Sequence, residues 1–140
     1  MCKCVVSSAR DLGVVIDSRM TMADHVASVC CSAYYHLQYI RSILRSLSED
    51  ATKTLVQAFI CSRLDYCNAV LYGVCTDNRY QQLRSVQNAA GWLITRTGQR
   101  VHITPVLMEM HWLPVRRRVE CKFVNLMFKT LHGLAASYVR

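Results

Sequence analysis

The chain has 140 residues, of which 52% are apolar and 19% are charged, and this suffices for one domain with its own core. With 5 Gly and 2 Pro, the composition excludes a collagen-like fibre, a disordered tail and a low-complexity linker. No apolar run approaches the roughly 18 residues of a membrane-spanning helix. We therefore expect a soluble protein.

Positive charge is concentrated in the second half of the chain. In total, 17 Lys and Arg face 9 Asp and Glu, which gives a formal charge of +8. Residues 1–75 carry seven basic and six acidic side chains, whereas residues 76–140 carry ten basic and three acidic ones. A basic half suggests a polyanionic partner, most often nucleic acid, and a solvated basic surface is the alternative.

The eight cysteines raise the question of disulfides or zinc. We see no apolar leader segment, and Cys2-x-Cys4 is tighter than zinc-ligand spacing and has no paired Cys or His motif to complement it. Five cysteines fall in helical patterns among apolar neighbours, where Cys behaves as a small hydrophobe: Cys30, Cys31, Cys61, Cys67 and Cys121. We therefore expect free thiols, no metal and an intracellular protein, nuclear or cytoplasmic.

Two β-branched runs near the N-terminus, residues 4–6 and 12–16, predict the strands of a β-hairpin. Residues 7–11 between them have turn-like composition. Two strands alone are marginally stable, which suggests the edge of a larger sheet. We assign residues 1–20 to this hairpin and residues 21–140 to a helical region.

After the hairpin, apolar residues recur every three or four positions, which predicts helices. Thr21 or Asp24 can cap the first helix. The second helix is predicted to begin at Ser48 and to end at Gly73.

Three further helices are predicted in the second half of the chain. One runs from about Asp77 to Thr95, a short one runs from Thr104 to Met110, and the last runs from Val115 to Gly133. The last helix is expected to bury Val119, Phe123, Leu126, Met127 and Leu131. The predicted fold is mainly α: an N-terminal β-hairpin remnant followed by four or five largely antiparallel helices.

No residue pattern of a common catalytic site is evident. The only adjacent carboxylates, Glu49 and Asp50, fall at a helix start, where their interaction with the helix dipole explains them. There is no Gly-rich phosphate loop and no His pair at i, i+4. A Cys–His nucleophile remains open, because its partners need only be close in space.

Basic residues provide the positive signal. Arg116, Arg117 and Arg118 form a triplet, and Arg118, Lys122 and Lys129 fall near one stripe of a helix that could follow a phosphate backbone. A solvated face is the alternative.

Two tryptophans, Trp92 and Trp112, could stack on bases, although their apolar context favours the core.

Six motifs follow one another along the chain: LGVVID (12–17), SRLDYCN (62–68), VQNAA (86–90), ITPVL (103–107), HWLPV (111–115) and LHGLA (131–135). In this order they resemble the C-terminal part of reverse transcriptases from non-LTR (LINE-type, jockey/CR1-like) retrotransposons. The resemblance extends from about residue 5 to residue 140. The chain departs from the family pattern at Gly91-Trp92, where Ala or Ser followed by Arg is usual.

The resemblance implies that Leu12, Gly13 and Val14 belong to the primer-grip hairpin at the end of the palm, near the primer backbone. Gly13 would allow close approach there, and a bulge in a strand is the alternative. The helices would correspond to the thumb and the segment behind it. The catalytic carboxylates that bind Mg²⁺ in the parent RNA-directed DNA polymerase are absent from this chain, as are the fingers and most of the palm, so we expect no polymerisation and no cofactor.

We therefore expect a fragment that at most binds an RNA or RNA–DNA duplex non-specifically through its phosphates. The candidate contacts in the basic half are Arg84, Arg96, Arg100, Arg116, Arg117, Arg118, Lys122 and Lys129. The alternative is a structural fragment with no activity of its own that self-associates through the exposed hairpin edge, in place of the missing palm and fingers.

Overall fold

The structure, a computed structural model, describes residues 7–139. Within this range, a two-stranded antiparallel sheet precedes five helices, so the predicted mainly α fold is confirmed. The predicted first strand at residues 4–6 and the Cys2-x-Cys4 spacing lie outside the described residues.

The hairpin consists of β1 (Ser8–Asp11) and β2 (Val14–Asp17), with Asp11 opposite Val14. The turn is Leu12-Gly13, whose φ angles are 47° and 82°, as a two-residue type I′ turn requires. The predicted turn at residues 7–11 is therefore wrong, and so is a strand bulge at Gly13. The short loop lets Ser8–Asp11 pair directly with β2, and this pairing outweighs the weak strand propensity of those residues.

The first helix, α1 (Ala23–Ile43), begins without the cap predicted from the sequence. Its N-cap residue is Met22, with a φ of 59° and no side-chain cap. Asp17 at the end of β2 instead accepts hydrogen bonds from the backbone N–H of Thr21 at 2.8 Å and of Met22 at 3.2 Å. The Thr21 hydroxyl also donates to Asp17, and this bond is the largest cause of the lowered pKa of Asp17. The carboxylate thus holds the junction of strand and helix.

The second helix, α2 (residues 49–65), is shorter than predicted. It consists of Glu49–Val56, a π-helical turn at Gln57–Cys61 and Ser62–Asp65. Ser48 caps it as expected, because its Oγ accepts from the backbone N–H of Ala51 at 3.2 Å.

Beyond Asp65 the chain turns back instead of continuing to Gly73. Cys67 has a φ of 51°, and a 3₁₀ turn (Asn68–Leu71) follows. Apolar spacing in this segment fits an α-helix and a 3₁₀ turn equally well, so the spacing did not predict that the helix ends at Asp65.

The remaining helices are α3 (Asp77–Thr95), α4 (Ile103–Glu109) and α5 (Val115–Leu131). The bounds predicted for α3 are confirmed. The sequence also offers Asp77 as the N-cap of this helix, but the N-cap residue of α3 is Thr76.

The core lies between α1, α2 and α3, with α4 and α5 packed on α3. Its fully buried side chains include Val26, Val56, Ile60, Val86, Ile94 and Val119. Gly91 lies where α4 approaches α3, and a Cβ there would stand 3.3 Å from side-chain atoms of Ile103 and Met110. The absence of a side chain at Gly91 thus permits close helix packing.

The second half of α5 is exposed, contrary to the prediction. Val115 and Val119 are buried, and the ring of Phe123 stacks on Tyr72 at a centroid distance of 4.0 Å. Leu126, Met127 and Leu131 are exposed. Apolar spacing predicts which face of a helix is apolar, but not whether another element covers that face.

The described cysteines are free thiols. Cys30 and Cys61 are buried, whereas Cys31, Cys67 and Cys121 are exposed, so the prediction of five core cysteines is wrong for three of them. Burial is the main cause of the raised pKa values of Cys30, about 11, and of Cys61. Along residues 7–139, every helix is too short or too polar to traverse a lipid bilayer.

Candidate nucleic-acid interface

The SRLDYCN segment forms a junction at the end of α2. Both carboxylate oxygens of Asp65 lie 3.0 Å from Nη1 of Arg118. The Arg118 side chain is only 15% exposed, and its Nε donates to the carbonyl of Leu113 at 3.1 Å. Lys122 Nζ donates to the backbone carbonyl of Asp65 at 2.6 Å. Arg118 and Lys122, two of the predicted phosphate contacts, thus hold α5 against α2.

A buried amide holds the start of α5 against α3. Gln87, from the VQNAA motif, is fully buried. Its Nε2 donates to the carbonyl of Leu113 at 2.7 Å, and its Oε1 accepts from the backbone N–H of Val115 at 3.2 Å. Leu113 and Val115 belong to the HWLPV motif, so two motifs that are distant in sequence meet at this amide.

Arg116 and Arg117 lie beside carboxylates at the start of α5. Arg116 pairs with Asp77 at 2.9 Å and with Glu120 at 3.5 Å, and Arg117 pairs with Glu120 at 3.0 Å. Arg84 lines the same open groove of about 390 Å³ between α3 and α5. Three guanidinium groups therefore meet two carboxylates, which leaves an excess of one positive charge.

Arg96 has a structural contact at the other end of α3. Its guanidinium donates to the backbone carbonyls of Leu44 and Leu47. Arg96 is twelve residues, or about 18 Å of helix, from Arg84. The structure therefore does not gather the predicted basic residues into one surface. Within residues 7–139, no hydrogen bond or ion pair engages the charged groups of Arg84, Arg100 and Lys129.

A larger groove of about 640 Å³ lies between the hairpin, α1 and α2, and we call it the hairpin groove. Its polar lining consists of Arg10, His25, Ser28, Ser32, Ser62, Arg63 and Tyr66. Both arginines are exposed, and within residues 7–139 neither guanidinium forms an ion pair or a hydrogen bond. None of the lining residues is acidic.

The turn of the hairpin is held at the rim of this groove. Tyr66 Oη donates to the carbonyl of Leu12 at 2.6 Å, and a Cβ on Gly13 would lie 3.4 Å from the Tyr66 ring. Leu12 is 82% exposed, whereas Val14 is buried. Of the three residues that the resemblance assigned to the primer grip, Val14 anchors the hairpin in the core, and Leu12 and Gly13 form its exposed turn.

His25, near the start of α1, links this helix to strand β2 of the hairpin. It is buried, and its Nδ1 accepts from the backbone N–H of Val15 at 3.4 Å. Burial lowers the pKa of His25, and the nearby charge of Arg10 lowers it further. Both effects favour the neutral imidazole, which is the form that can accept this hydrogen bond.

Arg10 and Arg63 were missed at the sequence level. The distribution of charge did not indicate them, because residues 1–75 carry nearly equal numbers of basic and acidic side chains. Arg63 lies within the SRLDYCN motif, and its place in that motif is the feature of the sequence that could have indicated a functional role. Arg10 was assigned to a turn, and only the true register of the hairpin places it on β1.

Comparison with protein-family models, with curated proteins and with solved structures finds no match to this chain. Among residues 7–139, no three His, Cys, Asp or Glu side chains lie in an arrangement that could hold a metal ion.

Proposed function

We propose that the chain is a thumb-like fragment of a non-LTR retrotransposon reverse transcriptase, without the catalytic palm of that RNA-directed DNA polymerase. Its retained activity is non-specific binding of an RNA or RNA–DNA duplex through phosphates. The order of the six motifs supports the family assignment.

The hairpin groove is the observation that carries the binding proposal. Arg10 and Arg63 are unpaired in the described part of the chain, and no acidic side chain lines the groove beside them. Guanidinium groups match phosphate oxygens in charge and geometry. The exposed turn at Leu12-Gly13 lets a backbone approach closely. Contacts of this kind position a duplex without reading its sequence.

Three basic residues of the original set are available as further phosphate contacts: Arg84, Arg100 and Lys129. They lie outside the hairpin groove, so they would add general attraction for a polyanion.

Salt-dependent binding tests the proposal. The affinity for a labelled RNA–DNA hybrid of about 20 base pairs, measured by fluorescence anisotropy, should fall steeply between about 50 and 200 mM salt. The double variant Arg10→Ala/Arg63→Ala should bind more weakly and reduce the salt slope by about two, one for each lost phosphate contact.

The matched control is Arg41→Ala/Arg45→Ala, which removes the same charge. Arg41 lies sixteen residues beyond His25 on α1, about 24 Å from the hairpin, and both arginines are exposed. This control should lose little affinity. An equal loss in both double variants would show general charge attraction only, and salt-independent binding would contradict the proposal.

The second candidate is a structural fragment that self-associates without binding nucleic acid. The observation that favours it is the exposed apolar surface on the second half of α5, with Val124, Met127, Phe128 and Leu131 on one side of the helix and Leu126 on the other. The hairpin offers a second candidate surface at β1 and not at β2, because α1 packs on β2 and His25 accepts from the Val15 N–H. In the described residues, β1 pairs only with β2.

A further inference from the structure

Exposed aromatic side chains lie together on α1 and α2. Tyr35, Tyr39 and Phe59 are 69%, 61% and 44% exposed. His36 lies between Tyr35 and Phe59, because its ring stacks on Phe59 at a centroid distance of 5.3 Å and meets Tyr35 edge-on at 5.6 Å. We call these four residues the aromatic surface. They border an apolar depression of about 270 Å³.

The aromatic surface continues the hairpin groove. Phe59 lines both the groove and the depression. On α1, positions 28 and 32 line the groove, and positions 35 and 39 line the depression. Their spacing of three and four residues places them on one side of the helix, and they extend over about 16 Å. One face of α1 and α2 thus carries cations at its hairpin end and aromatic rings farther along.

The chemistry of this combined face selects its occupant. Arg10 and Arg63 attract a polyanion, and no acidic residue lines the groove or the depression. The depression is slightly smaller than the roughly 300–1,000 Å³ of small-molecule pockets, and it is bordered by flat rings. Single-stranded nucleic acid offers a charged backbone with flat, unpaired bases, and aromatic side chains that stack on such bases beside a basic groove are the usual means of binding it.

We propose that Tyr35, Tyr39 and Phe59 stack on the unpaired bases of a single-stranded extension that leaves a duplex end bound at Arg10 and Arg63. The inference rests on the proposed duplex binding, because it places that extension next to a duplex at the hairpin turn. Stacking of this kind is tolerant of sequence, because every base has a π-face. The protein would therefore bind best where a duplex ends in a single strand.

Three hybrid duplexes test this inference. The first is blunt, the second carries a single-stranded extension of about five nucleotides, and the third carries the same extension built of abasic nucleotides. The abasic extension keeps the phosphates and lacks the rings. The 140-residue chain should bind the extended duplex at least about fivefold more tightly than the abasic one. This ratio should persist as salt rises, because stacking releases no counterions.

Side-chain replacements on the protein give the complementary measurement. Tyr35→Leu/Tyr39→Leu keeps an apolar, helix-favouring side chain but removes the rings, so the preference for bases over abasic sites should fall at least about fivefold. Tyr35→Phe/Tyr39→Phe keeps the rings and should retain it. Tyr138→Leu alters a tyrosine that is 88% exposed elsewhere in the chain and should change nothing.

The outcomes separate the inference from the proposed function. Tight binding of the blunt duplex with equal affinity for the base and abasic extensions would overturn the inference and leave duplex binding intact. If the blunt duplex does not bind, duplex binding fails, and a single strand containing 2-aminopurine then decides the inference. Ring-dependent quenching of its fluorescence would support stacking, and unchanged fluorescence would overturn it. If the Leu variant retains the full preference, the tyrosine rings do not stack on the bases, and the inference fails.

Discussion

Arg118 illustrates how a basic residue serves stability in this molecule. Its side chain is 15% exposed and pairs with Asp65, and its Nε donates to Leu113. A charge held in this way is poorly placed to contact phosphate. Lys129, by contrast, is exposed, and its ammonium has no partner within residues 7–139. The two residues stand on the same helix and were assigned the same role from their spacing.

Replacing Arg118 should therefore affect stability. Arg118→Gln leaves a partly buried Asp65 without its cation, and we expect the free energy of unfolding to fall by about 2 kcal/mol. The control Lys129→Gln should stay within about 0.5 kcal/mol of the parent chain. Urea denaturation followed by circular dichroism measures both. An unchanged unfolding midpoint for Arg118→Gln would contradict the structural role.

At the scale of elements, the hairpin is held by few contacts. Val14 is buried, Tyr66 donates to the Leu12 carbonyl, and His25 accepts from the Val15 N–H. Two strands have little stability alone, so these contacts fix the hairpin on α1 and α2. His25 also lines the hairpin groove. The other titratable or charged side chains that line this groove are Arg10, Arg63 and Tyr66.

Lowering the pH should decrease the stability of the protein because of His25. Its pKa in the folded chain is below the ordinary value of about 6.5, so the unfolded chain binds more protons and stability rises with pH. As pH falls through about 6.5, the free energy of unfolding should decrease by at most about 1.4 kcal/mol per pH unit.

The variant His25→Asn isolates this contribution. Its side-chain oxygen can accept from Val15 but does not titrate. Denaturation at about pH 7.5 and about pH 5.5 should therefore show a smaller difference for the variant than for the parent chain. Equal differences in the two proteins would contradict the assignment.

The elements also show what the sequence could predict. The bounds of α3 were predicted, because a polar start at Thr76-Asp77 and regular apolar spacing coincide there. The end of α2 was missed, because Cys67 adopts a positive φ with no Gly or Pro to mark it. The hairpin was predicted, but its register was not. Because the register places Arg10 on β1, Arg10 was not predicted as a contact, although it carries one of the two positive charges of the hairpin groove.

At the scale of the whole molecule, apolar surface remains exposed on the second half of α5. Leu126, Met127, Phe128 and Leu131 are 52%, 47%, 54% and 78% exposed. Burying an apolar side chain of this size contributes about 1.5–3 kcal/mol. Regular spacing predicted Leu126, Met127 and Leu131 as part of the core, because spacing carries no information about which elements surround a helix.

Two lysines on this face should weaken association. If the chain self-associates through α5, Met127→Lys/Leu131→Lys should shift the dimerisation constant by at least about tenfold toward monomer. Analytical ultracentrifugation measures the shift. Val101→Lys/Met108→Lys adds the same charge at other exposed apolar positions and should preserve association. A parent chain that is monomeric throughout the concentration range would exclude this candidate.

The junction at the end of α2 has a mechanical consequence. Asp65 and Tyr66 are neighbours in the chain, yet Asp65 pairs with Arg118 on α5 and Tyr66 donates to the turn of the hairpin. One peptide unit thereby couples two parts of the molecule that are far apart in sequence. We expect a displacement of the hairpin to be transmitted through Asp65 and Tyr66 to α5, so that the hairpin and α5 move together.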